Sequence, residues 1–467
     1  MNTDAVVIGG GVSGLAAAYD LKRRGHEVLV LERQAQIGGN AVSETLGGFL
    51  MEHGPSTMNA HIPAAGKAST DLGLDDQRCD LGSGVRHRYL VDDGTLAAIP
   101  VGPFGLMTAK YLSPIAKIRL LADLLLPHRS DGEDESVMAF CSRRFGREVA
   151  ERVIDPLVAG IYAGRAADLS VLAIFPKLVA LEKKYGSVTL GMIHRRREGG
   201  KMPGTRLFSW RGGISTLPSA MARNLGDAIR TGVVVRKISR RADGFHIDVG
   251  DAGAVNAKVV IVATQPHVAA RLIADVDPAG ARAAEQIYAP PLAVVFLGFH
   301  REQVAHPLDG LGFLTSESEN RNVVGAQFCS TMFPNRAPRD HVAVSAYIGG
   351  ARSPDIARLP APDLVNLARG EFHDLIGAVG EPTVARVRHW PLGLPQYGMG
   401  HPALVKDLTT TADRLSGLYL TGNYLAGPSV ATCLEVAQET ALAADGYLKQ
   451  EKESSPTTIA GLGHLRV

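Results

Sequence analysis

AVVIGGGVSGLAAAYDLKRRGHEVLVLER, residues 5–33, decides the fold. Ala5 to Ile8 is a short apolar run that reads as a buried parallel strand. Gly9-Gly10-Gly11-Val12-Ser13-Gly14 follows with G-x-G-x-x-G spacing. Leu15, Ala18 and Leu21 then recur on one helical face, Gly25 ends the helix, and Val28 to Leu31 is a second strand running into Glu32 and Arg33. Each glycine has its own duty in this order. Gly9 makes the tight turn, Gly11 lets the backbone approach a pyrophosphate, and Gly14 packs helix on strand. The helix start at Ser13 then faces the phosphates. Glu32 stands where an acid accepts hydrogen bonds from ribose hydroxyls. The alternative, a glycine-rich turn without a nucleotide, leaves the second strand and its acid unexplained.

The totals narrow the class. A chain of 467 residues exceeds one compact core, so two or three units are expected. With 21% charged and 45% hydrophobic residues it has the composition of a globular protein. A net charge of +2 gives no basic field for nucleic acid. Cys79, Cys141, Cys329 and Cys433 are scattered without a C-x-x-C pair, which suits a reducing compartment and offers no metal signature. No run reaches the roughly 18 apolar residues that span a bilayer. No leader is expected ahead of the strand at Ala5, so the expected location is the cytoplasm, with peripheral contact on the cytoplasmic membrane. The polar tail 451–467 is expected to be flexible.

Three further segments extend the nucleotide reading. A second pair, Gly38-Gly39, follows Glu32, then Asn40, and Glu52-His53-Gly54-Pro55 forms a turn. This resembles FAD enzymes of the amine-oxidase superfamily, in which the second glycine pair runs beside the flavin. GLYLTGNYLAGPSVATCLEVAQETALAADGYL (417–448) reads as strand, Gly422-Asn423 turn and helix from about Val430. Residues 231–266 read as strand, hairpin and strand, with Val235 on the first strand and Ala263 at the end of the last. In similar flavoproteins these segments reach the pyrophosphate, the ribityl chain and the adenine.

The intervening chain reads differently. Residues 100–130 form amphipathic helices broken by Pro103, Pro114 and Pro127, suited either to a membrane surface or to the packed helices of a lid. Segment 133–198 is mostly helical, and His194 to Arg197 reads as a solvated basic loop. LVAGIYAGRAADLS (157–170) reads as a small-residue loop against which something flat could lie, or more plainly as a helix end and turn. LAVVFLGF (292–299) and VAVSAYIGG (342–350) alternate as an antiparallel sheet does.

VIDPLVAGIYAG (153–164), FPKLVALEKKYGSVTLGMI (175–193), MFPNRAP (332–338), YIGGAR (347–352) and HWPLGLPQYGMGH (389–401) together resemble the protoporphyrinogen oxidase family, up to about Leu448. The resemblance implies an α/β fold with a discontinuous Rossmann-like FAD-binding domain (1–84, 208–276 and 406–450). It also implies an antiparallel-sheet substrate-binding domain (85–99 and 277–405) and a helical lid or membrane-binding domain (100–207). It implies non-covalent FAD, since Cys433 sits within a helix and lacks the motif of covalent attachment. It implies oxidation of protoporphyrinogen IX to protoporphyrin IX with dioxygen as acceptor and hydrogen peroxide as product. Peripheral membrane contact and a homodimer complete the expected partners, and no metal is expected. Alternatives are a coproporphyrinogen III oxidase, whose substrate carries four propionates and calls for more than one cation, or another flavin desaturase or amine oxidase of the superfamily. A flavin-holding porphyrin carrier is the non-enzymatic alternative.

The flavin carries the chemistry, so no catalytic side chain is expected. Position by position, the resemblance places Arg88 on a substrate propionate, Leu314 and Phe333 on either side of the macrocycle, Gly160 at its reacting edge and Ser56 nearby. Around the cofactor it places Gly9, Gly11, Ser13, Gly14, Glu32, Arg33, Gly39, Asn40, Gly54, Pro55, Val235, Ala263, Trp390, Gly422, Asn423 and Val430. Three positions depart from the family pattern: Ser56 where Asn is common, Arg165-Ala166 where Asp-Pro is common, and the loop Gly427 to Val430.

Overall fold

The computed structural model describes residues 1–99, 105–127, 129, 133–197 and 206–454. The strand Asn2–Ile8 lies inside a seven-stranded sheet, parallel to Val28–Leu31 on one side and to Ala254–Val262 on the other. Ala5, Val6, Val7 and Ile8 are buried because helices cover both faces. The strand Ala254–Val262 divides its other edge. Its first half pairs antiparallel with Gly244–Asp248, and its last three residues pair parallel with Leu418–Leu420. Strands from near residues 1, 30, 230, 260 and 420 thus share one sheet.

Helices Val12–Arg23 and Val430–Ser454 pack together on one face, with Leu15, Ala18, Leu21, Ala431, Leu434 and Ala441 in a common core. Each leucine buried there contributes about 1.5–3 kcal/mol. The other face carries Pro266–Ile273, Pro278–Glu285 and His401–Thr409, through Ile273, Ala284 and Leu408. The packing of Pro278–Glu285 and His401–Thr409 therefore crosses the boundaries expected at 276/277 and 405/406.

Three local expectations are corrected here. Val235 lies outside any strand. Residues 231–236 run beside Glu32 with single bonds from Val233 N–H to Glu32 O and from Gly232 N–H to Gln34 O, and regular pairing starts only at Lys237–Arg241. The Gly422-Asn423 turn opens a short helix, Asn423–Ala426, before the long one. That long helix continues to Ser454, so the start of the expected tail is helical, and its remainder lies outside the described residues.

A second seven-stranded sheet has the order Val384–Trp390, Leu292–His300, His341–Gly349, Val323–Gln327, Gly310–Leu314, His87–Asp92, Thr95–Ala98. It is antiparallel except for one pair: His87–Asp92 joins Gly310–Leu314 in parallel. That strand arrives from a distant part of the chain, so no hairpin imposes its direction. Helix Ala361–Ile376 covers one face through Leu364, Ala368 and Phe372.

The third unit is helical, with Tyr111, Phe140, Val158 and Leu169 in its core. Pro114 starts a helix at its first position, where its missing N–H costs nothing, and Pro103 lies outside the described residues. Residues Asp155–Tyr162 form a helix that ends on Ala163 in the left-handed conformation (φ 50°). Gly160 is therefore in a helix's last turn and not in a loop. The basic run His194 to Arg197 also closes a helix, Val188–Arg197.

Candidate functional site

The glycine turn is built by exclusion. Gly9 has φ +110°, and a Cβ on it would lie 2.5 Å from Ala263 O. A Cβ on Gly14 would lie 1.9 Å from Gly9 O. Gly11 faces Gly39, and a Cβ on Gly39 would lie 3.0 Å from Gly11 Cα. The Gly38 N–H donates to Gly10 O at 2.8 Å, tying the two glycine pairs together. Helix Val12–Arg23 starts here with no side-chain cap on Gly11 and no acid in its first turn. Its free N–H groups are suited to a phosphate.

Glu32 ends the second strand with both carboxylate oxygens engaged: Gly10 N–H donates to Oε2 at 2.6 Å and Gln34 N–H to Oε1 at 2.7 Å. A carboxylate has lone pairs left for ribose hydroxyls. Arg33 is exposed beside it, close enough to His267 to help depress that imidazole's pKa, after burial and Arg271. Ser13 is buried next to the Cys433 thiol, which burial pushes up to about 11. Gly422, Asn423 and Val430 lie at the mouth of the last helix, with Val430 buried in the core that it shares with Val12–Arg23. An uncapped helix start, a side-chain-free turn and an acid at the next strand end fit the adenosine diphosphate part of FAD.

The second glycine loop folds onto the Glu52 turn: a Cβ on Gly54 would lie 2.3 Å from Asn40 O. Trp390 comes to the same place and donates its indole N–H to His53 O at 2.6 Å, one residue before Gly54-Pro55. Arg388 stacks on the Trp390 ring at 4.4 Å. Ser56 is buried and donates to Gln327 Oε1 at 2.9 Å, joining the end of the Glu52–Pro55 turn to the second sheet.

Beneath this turn lies a buried polar group that sequence reasoning passed over. Glu52 accepts from Ser43 Oγ at 2.6 Å and from Ile214 N–H at 3.0 Å, and lies 3.3 Å from Arg336 Nη1. Arg336 stands in the quoted MFPNRAP run, which was the available signal. Burial outweighs the arginine and holds the Glu52 carboxyl up at about 7. The proton is thus held more tightly in the folded state than at an ordinary glutamate near 4.5. Its stabilising contribution is complete below pH 4.5 and is lost as pH rises through 7. Glu52→Gln should therefore flatten the pH dependence of stability. Between pH 5 and 8 the wild type should lose on the order of 2 kcal/mol more than the variant. Thermal midpoints across that range check this, and parallel curves would refute it.

The candidate substrate wall is on the second sheet. Tyr89 and Val91 point into its core with Val295 and Phe313. Alternation puts Arg88 and Leu90 on the opposite face. Leu90 pairs with Leu314, and both pack on the helical unit. Across from them is Gly160, where a Cβ would lie 2.2 Å from Leu314 Cδ2. Arg88 is exposed, yet its surroundings desolvate it enough to lower its pKa. Arg88, Leu314 and Gly160 therefore border one sheet face.

Phe333 belongs to a separate small cluster. It is only 3% exposed, packed with Cys79 and Met332, under the Arg336 guanidinium at 5.4 Å. Leu311, on the strand Gly310–Leu314 that ends at Leu314, packs against this cluster. Arg165 is paired: Nη2 is 3.0 Å from Glu317 Oε1, and Nε is 3.8 Å from Asp168.

The family model described as flavin containing amine oxidoreductase matches residues 12–444. An Arabidopsis thaliana protein named protoporphyrinogen oxidase 2, chloroplastic/mitochondrial, is 29% identical over 95% of this chain and 94% of its own length. A Bacillus subtilis protein named coproporphyrinogen III oxidase is 28% identical over 95% of this chain and 98% of its own. A solved Exiguobacterium protein with the provisional name protoporphyrinogen oxidase superposes with a TM-score of 0.82. It covers 95% of this chain and 98% of its own, and at 23% identity the likeness is one of fold.

Proposed function

The chain belongs to the flavin-containing amine oxidoreductase family, and on that premise we propose that it oxidises protoporphyrinogen IX to protoporphyrin IX. It is an oxidoreductase and a flavoprotein. FAD, held by the Gly9–Gly14 turn, Glu32, the Gly38-Gly39 loop and the Asn423 helix, supplies two-electron redox chemistry when bound. Six electrons and six protons leave the macrocycle in three two-electron steps, and three dioxygen molecules take them up as three hydrogen peroxides.

The protein's own task is positioning. The observation that carries the reading is the shared sheet face: a cation, Arg88, on the same face as Leu314, which packs against Gly160. A guanidinium pairs with a propionate, the leucine covers the ring, and the glycine leaves room for close approach. Packed walls also keep water from the reacting carbon. Coproporphyrinogen would bring two more carboxylates. Arg165, which stands where the family commonly has Asp, is ion-paired with Glu317, and this favours the dipropionate.

Anaerobic mixing with each porphyrinogen tests the assignment. Protoporphyrinogen should bleach the flavin absorbance, and air should then release peroxide and fluorescent porphyrin. An unbleached flavin would overturn the proposal, and faster bleaching by coproporphyrinogen would move it to the sister reaction. Arg88→Ala should raise KM on the order of 10-fold, the loss of one charge-assisted hydrogen bond. An unchanged KM would remove Arg88 from the site.

Ile115, Ile118, Leu121, Leu124 and Leu125 are exposed together along the helical unit, Leu125 to 88%. Among the described residues no helix is long and apolar enough to cross a membrane. Peripheral contact of this apolar ridge with a lipid surface is the reading it supports. Co-sedimentation with phospholipid vesicles measures it, and a protein left wholly in the supernatant would refute it.

A further inference from the structure

Gly160 and Leu314 come from different units and meet without a covalent tether. One side chain reaches both. Arg352 donates from Nη1 to Thr315 O at 2.5 Å, directly after Leu314. From Nη2 it donates to Asp155 Oδ2 at 2.5 Å, at the first turn of the helix that carries Gly160. Asp155 adds two more bonds: Oδ1 accepts from Ala166 N–H and Oδ2 from Glu317 N–H, each at 3.3 Å. The turn before Arg352 docks on the other end of the same helix. Ala351 N–H donates to Ala163 O at 2.8 Å, and a Cβ on Gly350 (φ +68°) would lie 2.4 Å from that oxygen.

We propose that Arg352 is a positioning residue: paired with Asp155 and bonded to the Thr315 carbonyl, it holds the contact between Gly160 and Leu314 that forms one wall of the substrate site. The substrate part rests on the porphyrinogen reading, and the structural part does not. A planar guanidinium can hold two acceptors at a fixed angle, whereas an ammonium is a point donor. The Arg352 and Asp155 side chains are only 10% and 4% exposed, so little water competes for these bonds. Arg352 Nε has no hydrogen-bond partner, which leaves the two terminal nitrogens to fix the plane of the group. Arg165 ties the exit of the helix to Glu317 as well, but on the surface, where such a pair contributes little.

The decisive variant is Arg352→Lys, which keeps the charge and loses the fork. In the FAD-loaded protein, without substrate, amide hydrogen exchange should quicken at least tenfold in both 155–162 and 310–315. The helix Val12–Arg23 should stay protected. With protoporphyrinogen, KM should rise about tenfold while kcat changes less. Combining Arg352→Lys with Leu314→Ala should cost no more than a further twofold, because a wall already released cannot be released again. Exchange that is unchanged in either wall overturns the proposal, and so does full additivity with Leu314→Ala. Should Arg352→Lys not fold, Asp155→Asn removes the charge without changing shape and is read by the same exchange experiment. A wild type that turns over no porphyrinogen sinks the substrate reading alone, since the exchange experiment still decides the link between the walls.

Discussion

Gly14→Ala should yield protein almost free of flavin. The added methyl would sit 1.9 Å from Gly9 O and 3.1 Å from Ala263 Cβ. Alanine has no rotamer with which to escape, so helix Val12–Arg23 must move off the strand behind it. That shift pulls the helix start away from the phosphate site and strains a core shared with Val430–Ser454. The expected cost is about 3 kcal/mol of stability or more. Absorbance near 450 nm relative to 280 nm should fall at least tenfold after purification, with a lower thermal midpoint and little recovery on adding FAD. A variant that keeps its flavin and its midpoint would show that the turn tolerates a side chain and that its glycine has another reason.

Gly160→Leu should behave in the opposite way, with a full complement of flavin and turnover reduced at least 100-fold. Gly160 lies in a helix, where replacing glycine adds up to about 1 kcal/mol of propensity. The position is exposed, so no core is overfilled. The new side chain collides with Leu314, since even its Cβ would lie 2.2 Å from Leu314 Cδ2. Leu314 can swing aside, and both side chains then occupy the space proposed for the macrocycle. Gly160→Ala should be intermediate. Wild-type kcat/KM in the leucine variant would return this contact to ordinary packing.

The two glycines also show what a sequence can disclose. Gly14 was legible because its duty is local: strand, turn, helix and acid lie within about 30 residues, and each constrains the next. For Gly160 the sequence left a loop and a helix end both open, and the structure gives the helix end. Its small neighbours suggested a loop, while the Asp155-Pro156 pair at the helix start was the opposing signal. Tertiary packing of Val158 and Ala159 decided the matter. Phe333 shows a different limit, since an aromatic before a proline reads the same in a core as beside a ligand. The Asp155–Arg352 pair was beyond reach altogether, with partners 197 residues apart. Val235 missed its strand because an extended valine run needs a neighbour to pair with, and the neighbour makes only isolated bonds.

The helix Val12–Arg23 is synthesised long before Val430–Ser454, which covers its apolar face. The strand Leu418–Leu420, which completes the pairing of Ala254–Val262, is also late. The second sheet has the same property, because His87–Asp92 waits for Gly310–Leu314. On the ribosome, the first sheet stays incomplete until Leu418–Leu420 has been made, and the glycine turn lacks the helix that packs behind it until Val430–Ser454 follows. Such long-range pairing slows folding and leaves strand edges open meanwhile. Loading with FAD is therefore expected to report that the two distant helices have met.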